Sequence, residues 1–390
     1  MIKRKSFIKW AGGKEKELPV ILNNLPKKFD RYIEPFVGGG SVYFNINCSN
    51  SVINDKSDEL IMLYNNIKTG NKPFINKLNE MNKNWILLEK IVSNNSKELI
   101  NLYKFYKKNV IKNDDIKKFN NTYSEKLYKF VVKHSEEFNG MLTEHFNIKI
   151  DNFIYEIKKN LLSKIERMNK IETKKGKLSD DNILENIESA LKSAYYMHFR
   201  YLYNNKEELK INDEFYCAIF YFIREYCYAS MFRYNGNGKF NVPYGGISYN
   251  RKDFFKKIQY LHSKELYKYM EKTQIYNLDF EEFCKSIELT KNDFMFLDPP
   301  YDTEFSTYAN NEFGKSDQER LAKFLKQTKA KFMLVIKNTD FIYNLYNDKK
   351  FNIITFDKKY LVSIKNRNDK DVEHLLITNY KIDLGGNHGN

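Results

Sequence analysis

Seven short apolar runs constrain this chain more than any other feature. Two lie near the N-terminus, RYIEPF from residue 31 and SVIN from residue 51; five lie towards the C-terminus, TQIYNL, FMFLDPP, KFMLVIKN, FNIITF and EHLLITNY. Helical periods separate them, with DELIMLYNNI after the second run and DQERLAKFLKQT between FMFLDPP and KFMLVIKN. Short apolar runs alternating with helices imply a mostly parallel sheet covered on both faces. FNIITF and HLLITNY are joined only by a polar, charged connection, which predicts that they close the sheet as an antiparallel pair.

Residues 68 to 230 read differently. They are rich in Lys, Asn and Glu, with apolar residues at helical spacing, as in LYKFVVKHSEEF and FYCAIFYFIREYCYASMF. Aromatics recur throughout, so this is a helical insertion and not a disordered linker. Its weakest part, ERMNKIETKKGKLSDDN at 166 to 182, reads as a mobile loop because of its charge and turn formers. A chain of 390 residues exceeds one typical domain. The expected division is a sheet domain of residues 1–67 and 270–390 interrupted by an insertion of residues 68–269.

The net charge is +15, and it comes with 29 Tyr and 30 Phe. A polyanion suits that balance, because neutralising phosphates releases counterions; a Lys- and Asn-rich proteome would give the same total, so charge leaves both readings open. Cys48, Cys217, Cys227 and Cys284 contain no Cys-x-x-Cys pair, which argues against a zinc site and a disulfide framework and suits core thiols in a reducing compartment. His134, His145, His198, His262, His374 and His388 form no ligand-spaced cluster, so no metal is expected. No apolar run approaches the roughly 18 residues of a membrane span, and the basic start MIKRKSFIKWAGGKEK lacks the apolar core of a signal peptide. The expected location is the cytoplasm.

Three motifs carry chemistry. In EPFVGGGS, Glu34 to Ser41, glycines follow a strand and open a helix, an arrangement that lets a ligand approach the backbone. No Gly-Lys-Ser/Thr follows, so it is not a P-loop. Asp55 ends the next strand, where an acid bonds ribose hydroxyls in nucleotide sites; capping the helix DKSDELIMLYNN is a compatible role. In FMFLDPPYD, successive prolines supply no N–H donors and hold the backbone extended, so their carbonyls remain acceptors. Asp298, the Pro299 carbonyl and the Tyr301 face together match the edge and face of a flat base bearing an exocyclic amine.

With FIKWAGGK near the N-terminus, EPFVGGGSVYFN, RYNGNGKFNVPYG and DPPY in this order, the chain resembles the Dam-like, D12 class (alpha-group) N6-adenine DNA methyltransferases over about residues 5 to 66 and 215 to 380. The resemblance implies a Rossmann-like, mostly parallel methyltransferase sheet, with an inserted helical target-recognition domain carrying a β-hairpin. It implies S-adenosylmethionine as methyl donor and adenine in double-stranded DNA as acceptor, flipped out of the stack to reach the pocket. By the same resemblance, Trp10, Lys14, Glu34, Pro35, Phe36, Gly38, Gly40, Asp55, Asp279, Phe280 and Asp298 are cofactor residues, and Asp298, Pro299, Pro300 and Tyr301 the catalytic tetrad. Without the family, Trp10 reads as a core residue and Lys14 as a solvated one. The segment RYNGNGKFNVPYGG, residues 233–246, reads as a hairpin from its Gly and Asn punctuation; the resemblance makes Lys9, Tyr228, Arg233, Asn235 and Pro243 its DNA contacts, with Arg233 reading a guanine. Relatives often carry a polar residue in place of Ala229 and some a tyrosine in place of Ile247, and the insertion is longer than in the smallest of them. The expected target is GATC or a longer site containing GAT, with a restriction endonuclease as a companion. Transfer to cytosine N4 is one alternative, since the same tetrad could hold any exocyclic amine; DNA binding by an inactive scaffold is the other, and the intact tetrad and glycine loop speak against it.

Overall fold

A computed structural model describes residues 4–141, 143, 146–301, 313–359 and 371–382. His145 and His388 lie outside the described residues. The chain divides into two compact units, Met1–Gly70 with Leu261–Asn390, and Asn71–Tyr260. Residues 68–70 and 261–269, expected in the insertion, cluster with the first unit.

The first unit is built on a seven-stranded sheet of β1 (Arg31–Glu34), β2 (Ser51–Asn54), β3 (Gln274–Tyr276), β4 (Asp293–Leu297), β5 (Lys331–Lys337), β6 (Asn352–Lys359) and β7 (Asp371–Thr378), in the order β3-β2-β1-β4-β5-β7-β6. The first five of these in space run parallel, and β7 pairs antiparallel with both β5 and β6. Parallel strands are covered on both faces, which is why β4 reads as unbroken apolar sequence and Phe294 to Leu297 are all buried. At its N-terminal end β4 is pinned to β1 by a two-point ion pair, Arg31 Nε to Asp293 Oδ1 at 2.9 Å and Nη2 to Oδ2 at 2.7 Å. The order 3-2-1-4-5 reverses direction between β1 and β4, so the carboxyl ends of these neighbours flank the crevice where open α/β sheets bind ligands.

Helices in chain order are α1 (Leu18–Asn23), α2 (Asp58–Lys68), α3 (Lys72–Asn94), α4 (Ser96–Val110), α5 (Ile116–Lys133), α6 (Ser135–Asn139), α7 (Ile150–Lys175), α8 (Asp180–Asn204), α9 (Asp213–Tyr226), α10 (Phe254–Leu261), α11 (Lys264–Met270), α12 (Phe280–Ser286), α13 (Lys315–Gln327) and α14 (Asp340–Tyr346). None of the described helices is long and apolar enough to cross a membrane. Ser57 caps α2 by accepting the Leu60 N–H, and Asp58 and Glu59 complement the positive end of its dipole.

The second unit is helical, and it corrects the loop expected at 166 to 182. Helix α7 continues to Lys175, stops at Gly176 with φ +96°, and α8 begins behind the Ser179 cap four residues later. Leu161, Ile165 and Met168 form the buried stripe of α7; of the charges that suggested a loop, Arg167 and Lys170 are exposed, whereas Glu172 is buried and paired with Lys107. The hairpin of 233–246 is narrow: isolated antiparallel bridges join Cys227 to Tyr244 and Tyr234 to Phe240, without a continuous ladder.

Candidate active site

Strand β1 delivers Glu34 and then the glycine loop. The loop does not open a full helix; it runs into a short 3₁₀ turn at Tyr43–Asn45. Its glycines also serve the protein's own packing. A Cβ on Gly38 (φ +48°) would lie 2.8 Å from Trp10 Cδ1, and one on Gly40 (φ +72°) would lie 2.5 Å from Tyr64 Oη and 2.8 Å from Phe44. The N-terminal segment is laid on the loop by Ser6, whose hydroxyl donates to the Gly39 carbonyl at 2.5 Å, and Trp10, half-buried, covers Gly38.

Strand β2 ends in Asn54 and Asp55. The buried Asn54 amide donates to the carbonyls of Pro35 and Leu278, each at 3.0 Å, and accepts the Leu278 N–H at 2.9 Å. One side chain therefore ties the loops that follow β1 and β3 to the end of β2. Asp55 accepts the Gly38 N–H at 2.9 Å and the Ser57 N–H at 3.0 Å. It braces the glycine loop, while the capping of α2 falls to Ser57. Burial pushes the Asp55 carboxyl up, against the pull of those backbone bonds.

After β3, Asp279 caps α12 by accepting the Glu281 N–H at 2.9 Å. Arg320 of α13 bonds both Asp279 oxygens at 3.2 Å, reaches Glu281 and Asp317 at 2.8 Å, and lies with its Cζ 4.8 Å from the centre of the Phe280 ring. Burial alone would raise the Asp279 carboxyl, but Arg320 and the Glu281 N–H outweigh it and hold it low. Phe280 packs against Phe36, with ring centres 5.6 Å apart.

Asp298 leaves β4 beside the glycine loop. Lys14, only 2% exposed, donates to Asp298 Oδ2 and to the Gly12 carbonyl, the latter at 2.7 Å, with its Nζ 5.4 Å from the centre of the Tyr301 ring. The lysine read as solvated is thus a buried partner of the DPPY acid. Tyr301 packs beside His374, ring centres 5.7 Å apart, and the Pro300 carbonyl accepts from Gln318 Nε2 at 3.0 Å. On β1, the buried Glu34 accepts from Tyr32 Oη at 2.6 Å. Burial holds its carboxyl well above the usual range; the Tyr32 bond opposes this, and the charges of Asp298 and Asp55 add to the rise. Burial pushes the Cys284 thiol up to about 12 and, in the helical unit, Cys227 up to about 11, which keeps both un-ionised. Among the described residues, no three His, Cys, Asp or Glu side chains gather as a metal site would require.

In the helical unit, Arg233 is exposed, with Nε 3.2 Å from Asn241 Oδ1. Asn235 builds the turn, its Oδ1 accepting the N–H groups of Asn237 and Lys239 at 3.0 Å. Tyr228 is exposed and its N–H donates to the Pro243 carbonyl at 2.9 Å. The two residues that follow it, Ala229 and Ser230, both have φ +53°.

Residues 10–176 and 165–362 match the family model of the D12 class N6 adenine-specific DNA methyltransferases. The chain belongs to this family. The type II methyltransferase M.MjaIII of Methanocaldococcus jannaschii is 26% identical over 395 residues, 96% of this chain and 99% of that one. The type II methyltransferase M.CviBI of Paramecium bursaria Chlorella virus NC1A is 38% identical over 165 residues, 41% of this chain and 60% of that enzyme. The DNA adenine methylase of Haemophilus influenzae is 23% identical over 360 residues, 90% of this chain and 85% of that one.

For a D12 class methyltransferase, the residues read from sequence fall into two groups. Trp10, Lys14, Glu34, Pro35, Phe36, Gly38, Gly40, Asp55, Asp279, Phe280, Asp298, Pro299, Pro300 and Tyr301 belong to the sheet unit and gather at or against the carboxyl edge of β1 to β4. Lys9 is exposed on the N-terminal segment, and Tyr228, Arg233, Asn235 and Pro243 belong to the helical unit. Sequence reasoning missed Asn54, Gln318 and Arg320. Only Asn54 left a signal, a polar residue closing the short run SVIN.

Proposed function

We propose that this enzyme transfers a methyl group from S-adenosylmethionine to N6 of an adenine flipped out of duplex DNA, within GATC or a longer site containing GAT. The observation that carries the reading is the placement of Asp298, at the end of β4 and beside the loop of β1, with Lys14 bonded to its carboxylate. Two acceptors there, the Asp298 carboxylate and the Pro299 carbonyl, suit the two hydrogens of an exocyclic amine.

The residues present also suit the cofactor. Glu34 feels the charges of Asp298 and Asp55 at this edge, and the three carboxyl groups are a set of acceptors fit for a ligand with an ammonium, a sulfonium and ribose hydroxyls. Asp55 and the glycine loop would hold its polar parts, and Asp279 with Phe280 its adenine. When bound, S-adenosylmethionine supplies an electrophilic methyl group. The protein's part is to prepare the acceptor, because an adenine amine is a poor nucleophile while its lone pair is delocalised into the ring. Hydrogen bonds to Asp298 and the Pro299 carbonyl favour a pyramidal nitrogen, and holding it in line contributes much of the rate. An arriving amine would share the Asp298 carboxylate with Lys14. Tyr301 offers the ring face that replaces the stacking lost by a flipped base.

Arg233 and Lys9 support guanine reading, since a bidentate Arg–guanine pair is the commonest specific contact. Type II names among the relatives support a search for a paired restriction endonuclease. The test incubates the protein with methyl-labelled S-adenosylmethionine and duplexes carrying a single GATC, then maps the modified base. Label on adenine N6 is expected, and Asp298→Ala should abolish transfer while calorimetric cofactor binding is weakened but largely survives. Methyl on cytosine, or an unchanged turnover number in Asp298→Ala, would overturn the reading.

A further inference from the structure

Helix α8 holds the 233–250 segment through a row of side chains four residues apart. Lys192, Tyr196, Arg200 and Asn204 follow one another along the helix, drifting by about 40° per step. Each ends on a backbone group of the segment. Lys192 Nζ donates to the Asn250 carbonyl at 2.7 Å; Tyr196 Oη and Arg200 Nη1 both donate to the Val242 carbonyl, at 2.9 and 3.3 Å. Asn204 serves Phe240 as a neighbouring strand would, donating to its carbonyl at 2.9 Å and accepting its N–H at 2.8 Å. A hydroxyl pair, Tyr203 to Tyr234 at 2.9 Å, adds a side-chain contact.

The segment alternates against this row. Phe240, Val242 and Tyr244 are buried, Pro243 is exposed and Asn241 half-exposed, and Asn241 Oδ1 accepts from Arg233. Because the row grips backbone, the outward side chains can vary in sequence without loosening it. Register is what it fixes, and a shift of one residue would turn the outward set inward.

We propose that Tyr196, Arg200 and Asn204 are positioning residues for sequence discrimination: they set the register in which the loop presents Arg233. This rests on the reading of residues 233–246 as the part that reads DNA. Lys192, fully buried between Glu89 and Glu188, anchors the far end of the row and is left unaltered in the test, because removing it strands buried charge.

The test uses the full chain and compares kcat/KM on a duplex carrying the methylated site with kcat/KM on duplexes changed at one base pair. Arg233→Ala should lower discrimination at one guanine by about tenfold. Asn204→Leu, which withdraws both partners of Phe240, should lower discrimination at that same guanine by about tenfold. Cofactor affinity and kcat at saturating cognate DNA should stay within about twofold. Tyr196→Phe removes one of two donors to Val242 and should give a smaller loss in the same direction. It keeps the proposal testable if Asn204→Leu does not fold. Asn204→Asp, which retains the acceptor for the Phe240 N–H, should recover part of the loss. In the double variant, Arg233→Ala should add nothing further at that guanine. Full discrimination in the Asn204 and Tyr196 variants, or additive losses in the double variant, overturns the positioning role. If Arg233→Ala leaves discrimination unchanged at every base pair, the loop is not the reader and the proposal falls with that premise.

Discussion

Asn54 and His198 are both buried polar groups whose partners determine what they do. Asn54 has its amide saturated by the backbones of Pro35 and Leu278, so it holds two loops of the sheet unit in register. His198, fully buried in the helical unit, has Nδ1 3.2 Å from the Asn152 amide and Nε2 3.4 Å from the Phe146 carbonyl. A neutral ring protonated on Nε2 satisfies both. Burial pushes its pKa down to about 4, with the Phe146 carbonyl pulling the other way. The unfolded chain binds this proton near pH 6.5 and the folded chain resists it until about 4, so stability falls as pH drops through that window and levels off below it. At pH 5 the loss relative to pH 7 should be about 2 kcal/mol. Urea midpoints at the two pH values check this, with His198→Phe expected to show a correspondingly smaller fall. Equal falls in the two proteins would remove His198 from the acid response.

Among elements, the glycine loop is the one whose sequence is most tightly set. Gly40 and Gly70 both have positive φ, +72° and +60°, but a Cβ on Gly70 meets nothing within 4 Å, whereas one on Gly40 overlaps Tyr64 and Phe44, both buried. Gly70→Ala should therefore cost about 1 kcal/mol, the conformational term alone, and Gly40→Ala about 3 kcal/mol or more. Chemical denaturation of the two variants measures the difference; equal costs would mean that the loop yields. The strands were legible because parallel strands need unbroken apolar runs, and the DPPY acid because prolines next to it are rare at a strand end. The Lys14–Asp298 pair was not, since its members are 284 residues apart and nothing local marks Lys14 as buried. Asn54 reaches Leu278 across 224 residues and was missed for the same reason. The glycines were legible as close approach, and Trp10 and Tyr64 are among the groups that approach them, which pattern alone cannot distinguish from a ligand. At 166 to 182, the density of exposed charge outweighed the buried stripe of Leu161, Ile165 and Met168, and a helix read as a loop.

At the scale of the whole molecule, the charge is unevenly divided. Residues 71–260 hold 34 Lys and Arg against 23 Asp and Glu, a net +11, and the sheet unit holds 31 against 27, a net +4. A proteome-wide abundance of lysine would raise both units alike, so the imbalance favours a polyanion bound through the helical unit. If its lysines neutralise phosphates, each contact releases counterions and the observed affinity falls with salt on a log–log plot, at a slope of roughly −0.9 per contact. Affinity of the full chain for a duplex lacking the target should drop by about 10³-fold or more between 50 and 200 mM salt if six or more phosphates are held. Cofactor affinity, which the proposed function assigns to groups within the sheet unit, should change little over the same range. Fluorescence anisotropy with a labelled duplex measures the first quantity and calorimetry the second. A DNA slope near zero would mean that the +11 is a solvated surface, and sequence-specific contacts such as the one proposed for Arg233 would then have to supply the affinity as well as the discrimination.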